Sequence, residues 1–297
     1  MVQIPEQYVK AGRITREVRE WIKKTMKPGM GYVEMCLAVE REVVARGGGI
    51  PFPCAIGANH VTAHYAPQKN DGSVFSENDV MKIDFGVHLD GYLTDTAVTL
   101  TFNPEFEPLL DASERALAAA IKTARVDART SEIGRSISSE ASRLGFRVIE
   151  NLTGHTVDRY VVHAGKSIPN LYMPSPQTLK RGEVFAVEPF LTLKKAAGYV
   201  VDSPAETIFS IVARKYTASK ELDDFVARVW NERKTLPFTP RWYEADYPAT
   251  KMTKILEELV RRKLVRAYPT LVEASNNPVA QFEHTMALDE NGLTVLT

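Results

Sequence analysis

Only two cysteines, Cys36 and Cys54, occur among the 297 residues, too few for a disulfide framework. No apolar run approaches the ~20 residues needed to span a bilayer. The opening Met1-Val2-Gln3-Ile4-Pro5-Glu6 is polar and lacks the hydrophobic stretch of a secretion signal. A reducing cytoplasm is therefore the expected compartment, and the glycosylation-like Asn151-Leu152-Thr153 is read as coincidence. Charge of one sign is missing too. The 37 Lys+Arg are balanced by 37 Asp+Glu, so no global field draws the chain to nucleic acid or an anionic membrane. Neither DNA nor a membrane is an expected partner. What is present is ordinary globular material, 44% hydrophobic, enough for a sizeable core.

Periodicity organises that material. Val9, Ile14, Val18 and Ile22 fall on one stripe of a helix expected over 6–26, which Pro28-Gly29 breaks. A second helix is expected over 32–46 and stops at Gly47-Gly48-Gly49. Residues 80–102 read as a hairpin, because Met81, Ile83, Phe85, Val87 and Leu89 alternate with polar or small residues up to Asp90-Gly91. The plan then recurs about a hundred positions later. Helices are expected over 106–126 and 131–144, and a second hairpin begins at Val184-Phe185-Ala186-Val187-Glu188. His64 is answered by His163, Asp84 by Glu188, and Gly91-Tyr92-Leu93-Thr94-Asp95 by Gly198-Tyr199-Val200-Val201-Asp202. The duplication predicts an α+β chain, one pseudo-symmetric domain over 1–297 with its site between the halves. Residues 213–267 interrupt the plan with helices near 220–234 and 250–263. This insertion carries 13 Lys/Arg against 8 Asp/Glu, an ordinary solvated surface rather than a nucleic-acid footprint.

Hairpin geometry decides which carboxylates can meet. With Asp90-Gly91 as a two-residue turn, Gly86 lies opposite Asp95 and Asp84 opposite Ala97. Asp84 and Asp95 then share a face as diagonal neighbours. Taken alone, such a pair would face water. Glu188 and Glu283, however, lie in apolar frames, Ala186-Val187-Glu188-Pro189-Phe190 and Gln281-Phe282-Glu283-His284-Thr285, where an unpaired carboxylate is costly. With His155 they make a mostly oxygen donor set, suited to paired Mn, Fe, Co or Zn ions rather than to structural zinc. His64 and His163, related by the repeat, are expected at the interface of the halves. His60, His88 and His284 are read as structural.

The separated motifs Ala63-His64-Tyr65, Lys82-Ile83-Asp84-Phe85-Gly86, Asp95-Thr96-Ala97, Gly154-His155, Val162-His163-Ala164-Gly165-Lys166, Val187-Glu188-Pro189-Phe190 and Gln281-Phe282-Glu283-His284-Thr285 span nearly the whole chain. Together they resemble the methionine aminopeptidases, type II, in a compact archaeal-like form without the long charged extension of the eukaryotic enzymes. The resemblance implies the pita-bread fold with a helical insertion. It also implies removal of initiator methionine from nascent polypeptides, favouring a small second residue. It makes Asp84, Asp95, His155, Glu188 and Glu283 the ligands of two divalent ions, with Asp95 and Glu283 bridging, and leaves Asp202 outside the site. Glu188 would be the general base, with His64 and His163 beside the scissile bond. Phe52, Val162, Phe190 and Tyr268 would line the methionine pocket. One pocket histidine of the family is missing, and Glu206-Thr207 stands there. Contact with the ribosome near the nascent chain is compatible with this reading. Two rivals share the fold: proline-selective peptidases, and inactive relatives that bind RNA or ribosomes but have lost metal ligands.

Overall fold

The computed structural model describes residues 3–297. The chain opens with α1 (Glu6–Thr25) and α2 (Tyr32–Ala45), then β1 (Ala55–Ala58), β2 (Val61–Ala63), β3 (Val80–Leu89) and β4 (Tyr92–Thr101). Two more helices follow, α3 (Glu107–Thr123) and α4 (Thr130–Arg143), and then β5 (Phe146–Val148), β6 (Thr153–Val157), β7 (Ser167–Pro169), β8 (Val184–Val187), β9 (Phe190–Leu193) and β10 (Val200–Ile211). After α5 (Lys220–Arg233) and α6 (Ala249–Arg261) the chain ends in β11 (Val265–Glu273), β12 (Val279–Gln281), β13 (His284–Asp289) and β14 (Gly292–Val295). No helix among the described residues is long and apolar enough to cross a membrane.

The helices lie where periodicity placed them, with one change of face. The buried stripe of α1 runs through Tyr8, Ala11, Thr15, Val18 and Ile22, while Val9 is 51% exposed. Spacing of three and four from Val18 back selects Tyr8 and Ala11 rather than Val9. Gly47 takes φ +82° just beyond α2, a conformation that ends a helix cheaply only at glycine. These helices, with α3 and α4, cover the outer face of the sheets through one continuous core that includes Ile22, Met35, Ile83, Phe85, Ile137 and Phe185.

The β3–β4 hairpin has the expected register, with Gly86 opposite Asp95 and Asp84 opposite Ala97. Asp90 and Gly91 both have positive φ, as a two-residue turn of the right twist requires. The second hairpin is built differently from the expectation. β10 pairs with β11 and not with β9, so it does not take the place of β4. The partners of β8 and β9 come instead from the end of the chain, β13 and β12, with His284 opposite Val187 and Gln281 opposite Phe190. Glu283 thus falls in the gap between β12 and β13, across from Glu188 in the gap between β8 and β9.

Threonine hydroxyls join the two halves along β4. Thr285 Oγ1 donates to Asp95 O (2.7 Å) and accepts from Asp95 N (2.7 Å). Thr96 Oγ1 donates to Glu283 O at 2.7 Å, and Thr99 Oγ1 to Gln281 O at 2.6 Å. This seam fixes the backbones of Asp95 and Glu283 side by side.

The helices between β10 and β11 enclose an apolar cluster of their own, with Phe225, Val229, Phe238, Tyr243 and Leu259 among its members. Val265–Ala267 already belong to β11. A buried ion pair fastens this part to α2: Arg241 reaches both Glu40 oxygens, at 2.8 and 3.0 Å, and Trp242 Nε1 donates to Glu40 at 3.1 Å. The two side chains are only 5% and 8% exposed. Glu40→Gln leaves the guanidinium charge buried without its counter-ion, a loss of about 3 kcal/mol. A urea midpoint unchanged by the substitution would show that the pair is dispensable.

Candidate active site

Three strands and two gaps between strands deliver the expected donors to one place. Asp84 comes from β3, Asp95 from β4 and His155 from β6, while Glu188 and Glu283 stand in the two strand gaps. Pro189 has no N–H to continue the ladder, so the strand breaks there and Glu188 turns inward. His155 Nε2 lies 3.6 Å from Asp95 Oδ2 and 3.5 Å from Glu188 Oε1. Asp95, His155 and Glu283 each present a donor atom within 4.8 Å of the others. Gln281 Nε2 donates to Glu283 Oε2 at 3.4 Å. Nothing larger than hydrogen fits at residue 86: a Cβ there would stand 2.3 Å from Thr94 O and 2.9 Å from Phe52 Cε1.

Burial dominates the electrostatics. It raises the Asp84 carboxyl to about 7, against the hydrogen bonds from Gln281 and Asp95. Burial also holds Asp95, Glu188 and Glu283 well above the ordinary range, and each is raised further by neighbouring carboxylates. Burial pushes His155 down to about 3 and His64 to about 4, each helped by the nearby His163 ring. The imidazoles are therefore neutral donors at pH 7. Asp84 Oδ1, Asp95 Oδ1 and Glu283 Oε1 are enclosed without any hydrogen-bond partner. Several carboxylates crowded in a dry site, with unpartnered oxygens converging beside a neutral imidazole, fit divalent cations.

A cavity of about 230 Å³ opens onto this cluster. His64, at φ +63° just after β2, places its ring edge-on to Tyr268 with Nδ1 3.3 Å from Pro269 O. The His163 ring centre is 4.3 Å from that of His155. Phe52, Val162, Phe190 and Tyr268 all line the cavity, together with Asp84, Asp95, His155 and Glu188. Glu283 lies behind them and is 1% exposed. Asp202 is exposed on β10 and takes no part in the wall.

Sequence reasoning missed part of the wall. Ala63, Leu152, Ile208 and Pro237 also line the cavity. Thr207 turns away and accepts a hydrogen bond from Ala66 N at 2.9 Å. Its neighbour Ile208 therefore faces in, making the pocket more apolar near where a histidine was expected. No alternation signalled this, because the pairing of β10 with β11 is irregular between Glu206 and Ile208. Pro237, in the linker after α5, had no signal either.

A family model described as metallopeptidase family M24 matches residues 6–224. The chain belongs to this family. It is 39% identical over 293 residues to a methionine aminopeptidase of Pyrococcus horikoshii, covering 98% of this chain and 99% of that one. It is 34% identical over 300 residues to a methionine aminopeptidase of Methanothermobacter thermautotrophicus, covering 100% of each. Among solved structures, a thermophilic Arx1 superposes with a TM-score of 0.86 at 18% identity, covering 98% of this chain and 89% of that one. Methionine aminopeptidase from Thermotoga maritima gives 0.71 at 20% identity, covering 100% and 98%. At such identities these two speak for the fold alone. Family and neighbours together make this the pita-bread fold, and the chain is a metallo-aminopeptidase.

Proposed function

We propose that this methionine aminopeptidase-like chain removes the initiator methionine from nascent or newly made polypeptides, favouring a small second residue. The reaction is peptide hydrolysis assisted by two divalent ions, Co, Mn, Fe or Zn. The support is a single juxtaposition: five converging donors at the closed end of a cleft whose walls are Phe52, Val162, Phe190 and Tyr268. In this reading Asp84, Asp95, His155, Glu188 and Glu283 would hold the ions. The acting unit is 1–297, with the 213–267 helices inserted in it. When bound, the ions polarise the scissile carbonyl and lower the pKa of water in the site.

The chain's own groups do the rest. Glu188 takes the proton of the attacking water and passes it toward the leaving amine. His163, neutral, donates to the oxygen that gains charge in the tetrahedral state. His64 Nδ1–H is engaged by Pro269 O, which leaves Nε2 to accept from the scissile amide N–H. An unbranched, flexible thioether suits an apolar pocket of this shape, and Ile208 adds to its apolar lining. The setting would be the cytoplasm, where the N-termini of nascent polypeptides are the partners and ribosome contact is compatible.

Chelated protein should release no methionine from Met-Ala-Ser until Mn²⁺, Fe²⁺, Co²⁺ or Zn²⁺ is added back. Acetyl-Met-Ala-Ser should stay intact, and Met-Pro-Ser should be cut at least about tenfold more slowly than Met-Ala-Ser. Cleavage of the blocked peptide, or full activity under chelation, would overturn this function.

A further inference from the structure

We infer that Arg233 is a positioning residue that sets the width of the cleft's apolar end by tying its two walls to one nitrogen. The inference rests on the reading of that cleft as the methionine pocket. Arg233 closes α5, and its Nη2 donates to Pro51 O at 3.1 Å and to Pro237 O at 2.9 Å. Pro237 is itself part of the cavity wall, and Pro51 directly precedes Phe52, a wall residue that packs against Gly86 of the β3–β4 hairpin. The guanidinium stacks on Trp242, 4.6 Å from its ring centre, which fixes the plane of the fork.

The sequence explains why such a tether is needed. In Pro51-Phe52-Pro53-Cys54 two of the four residues lack an N–H, so this segment has few amides with which to anchor itself. Beyond its burial, its polar hold on the body comes from outside: Arg233 on the Pro51 carbonyl, Glu40 accepting from Cys54 N at 3.4 Å, and Cys36 Sγ donating to Cys54 O at 3.1 Å. The other end of the tether is firm. Gln68 Nε2 donates to Thr239 Oγ1 at 3.0 Å, Arg241 Nε to Pro67 O at 2.9 Å, and Thr235 Oγ1 to Tyr160 O. The linker 234–242 is thus pinned to the body, and Arg233 transmits its position to Phe52. Arg233 lies outside the reacting cluster, so the tether acts on fit rather than on chemistry.

Arg233→Met keeps the apolar stem and removes both bonds. With Met-Ala-Ser its KM should rise about tenfold while kcat stays within about twofold, and the preference over Leu-Ala-Ser should fall. Arg233→Lys, which can reach one carbonyl, should lie between. A second readout needs no turnover. With 4-fluorophenylalanine at position 52, the parent should give one sharp ¹⁹F resonance, and Arg233→Met a shifted, broadened or doubled one. A spectrum and KM identical to the parent's in folded Arg233→Met would overturn the inference, as would a fall confined to kcat. Should Arg233→Met fail to fold, Arg233→Lys decides: intermediate values support the tether and parental values overturn it. If the parent itself cleaves no methionine, the proposed function fails and the fluorine spectrum alone judges Arg233.

Discussion

Glu188→Gln should release methionine from Met-Ala-Ser roughly a thousandfold more slowly than the parent, with KM little changed. The substitution is isosteric and leaves Phe52, Phe190 and Tyr268 in place, so the apolar part of substrate binding is untouched. What disappears is a group able to accept a proton. Burial and the neighbouring Asp84 hold the Glu188 carboxyl above the ordinary range, and cations held beside it would oppose both and favour the carboxylate, the form able to accept a proton. An amide has no such capacity. The fold should survive, since removing one of several crowded buried carboxylates relieves repulsion rather than creating an unpaired charge. Metal analysis separates the base role from simple ligation. A variant that still binds divalent ion but does not turn over supports the proton-transfer role. Undiminished methionine release would refute it, and a variant without any bound ion would reduce Glu188 to a ligand.

Local signals made the first half of the site legible, and the second half depended on pairings that no local signal encodes. Asp90-Gly91 between alternating strands specified the β3–β4 register to the residue, and with it the shared face of Asp84 and Asp95. The repeat then pointed to Asp202 as the counterpart of Asp95, because Gly198-Tyr199 copies Gly91-Tyr92. The chain instead sends β10 to β11 and fills the β4-equivalent place with β12–β13. A hairpin partner contiguous in sequence can be read from its turn; one that returns after the α5–α6 excursion cannot. The apolar frame of Glu283 marked it as a candidate donor, but only motif resemblance set it in the place the repeat gave to Asp202. The Thr96, Thr99 and Thr285 seam escaped notice because threonines in strands are common. Arg233 escaped because a terminal helix arginine ordinarily reads as a surface charge. Both became visible only when their partners, 187 residues away for Thr96 and 182 for Arg233, came into contact.

Stripped of divalent ions, Asp84→Asn should gain stability on the equally stripped parent as the pH rises. Asp84 has a folded pKa of about 7 against an ordinary 3.8. Between those values the native parent keeps a proton that the unfolded chain has released, so parental stability falls as pH climbs through the window. The full shift would correspond to about 4 kcal/mol; the neighbouring carboxylates share the proton release, so about 3 kcal/mol is expected by pH 8. Asparagine carries no such proton, and below the ordinary carboxylate range the two proteins should be alike in this respect. His64 and His155 are displaced the other way, to about 4 and about 3 from 6.5, so their contribution rises with pH. Both proteins retain them, and they largely cancel in the difference. Urea midpoints at pH 4 and pH 8 in a chelator measure the effect, and a difference that stays flat across that range would end the argument. Adding Mn²⁺ should reverse the order. A cation held by Asp84 stabilises the native parent by mass action, and the variant, with one anionic donor fewer, gains less. The buried carboxyl that weakens the stripped protein is then the same group that binds the ion.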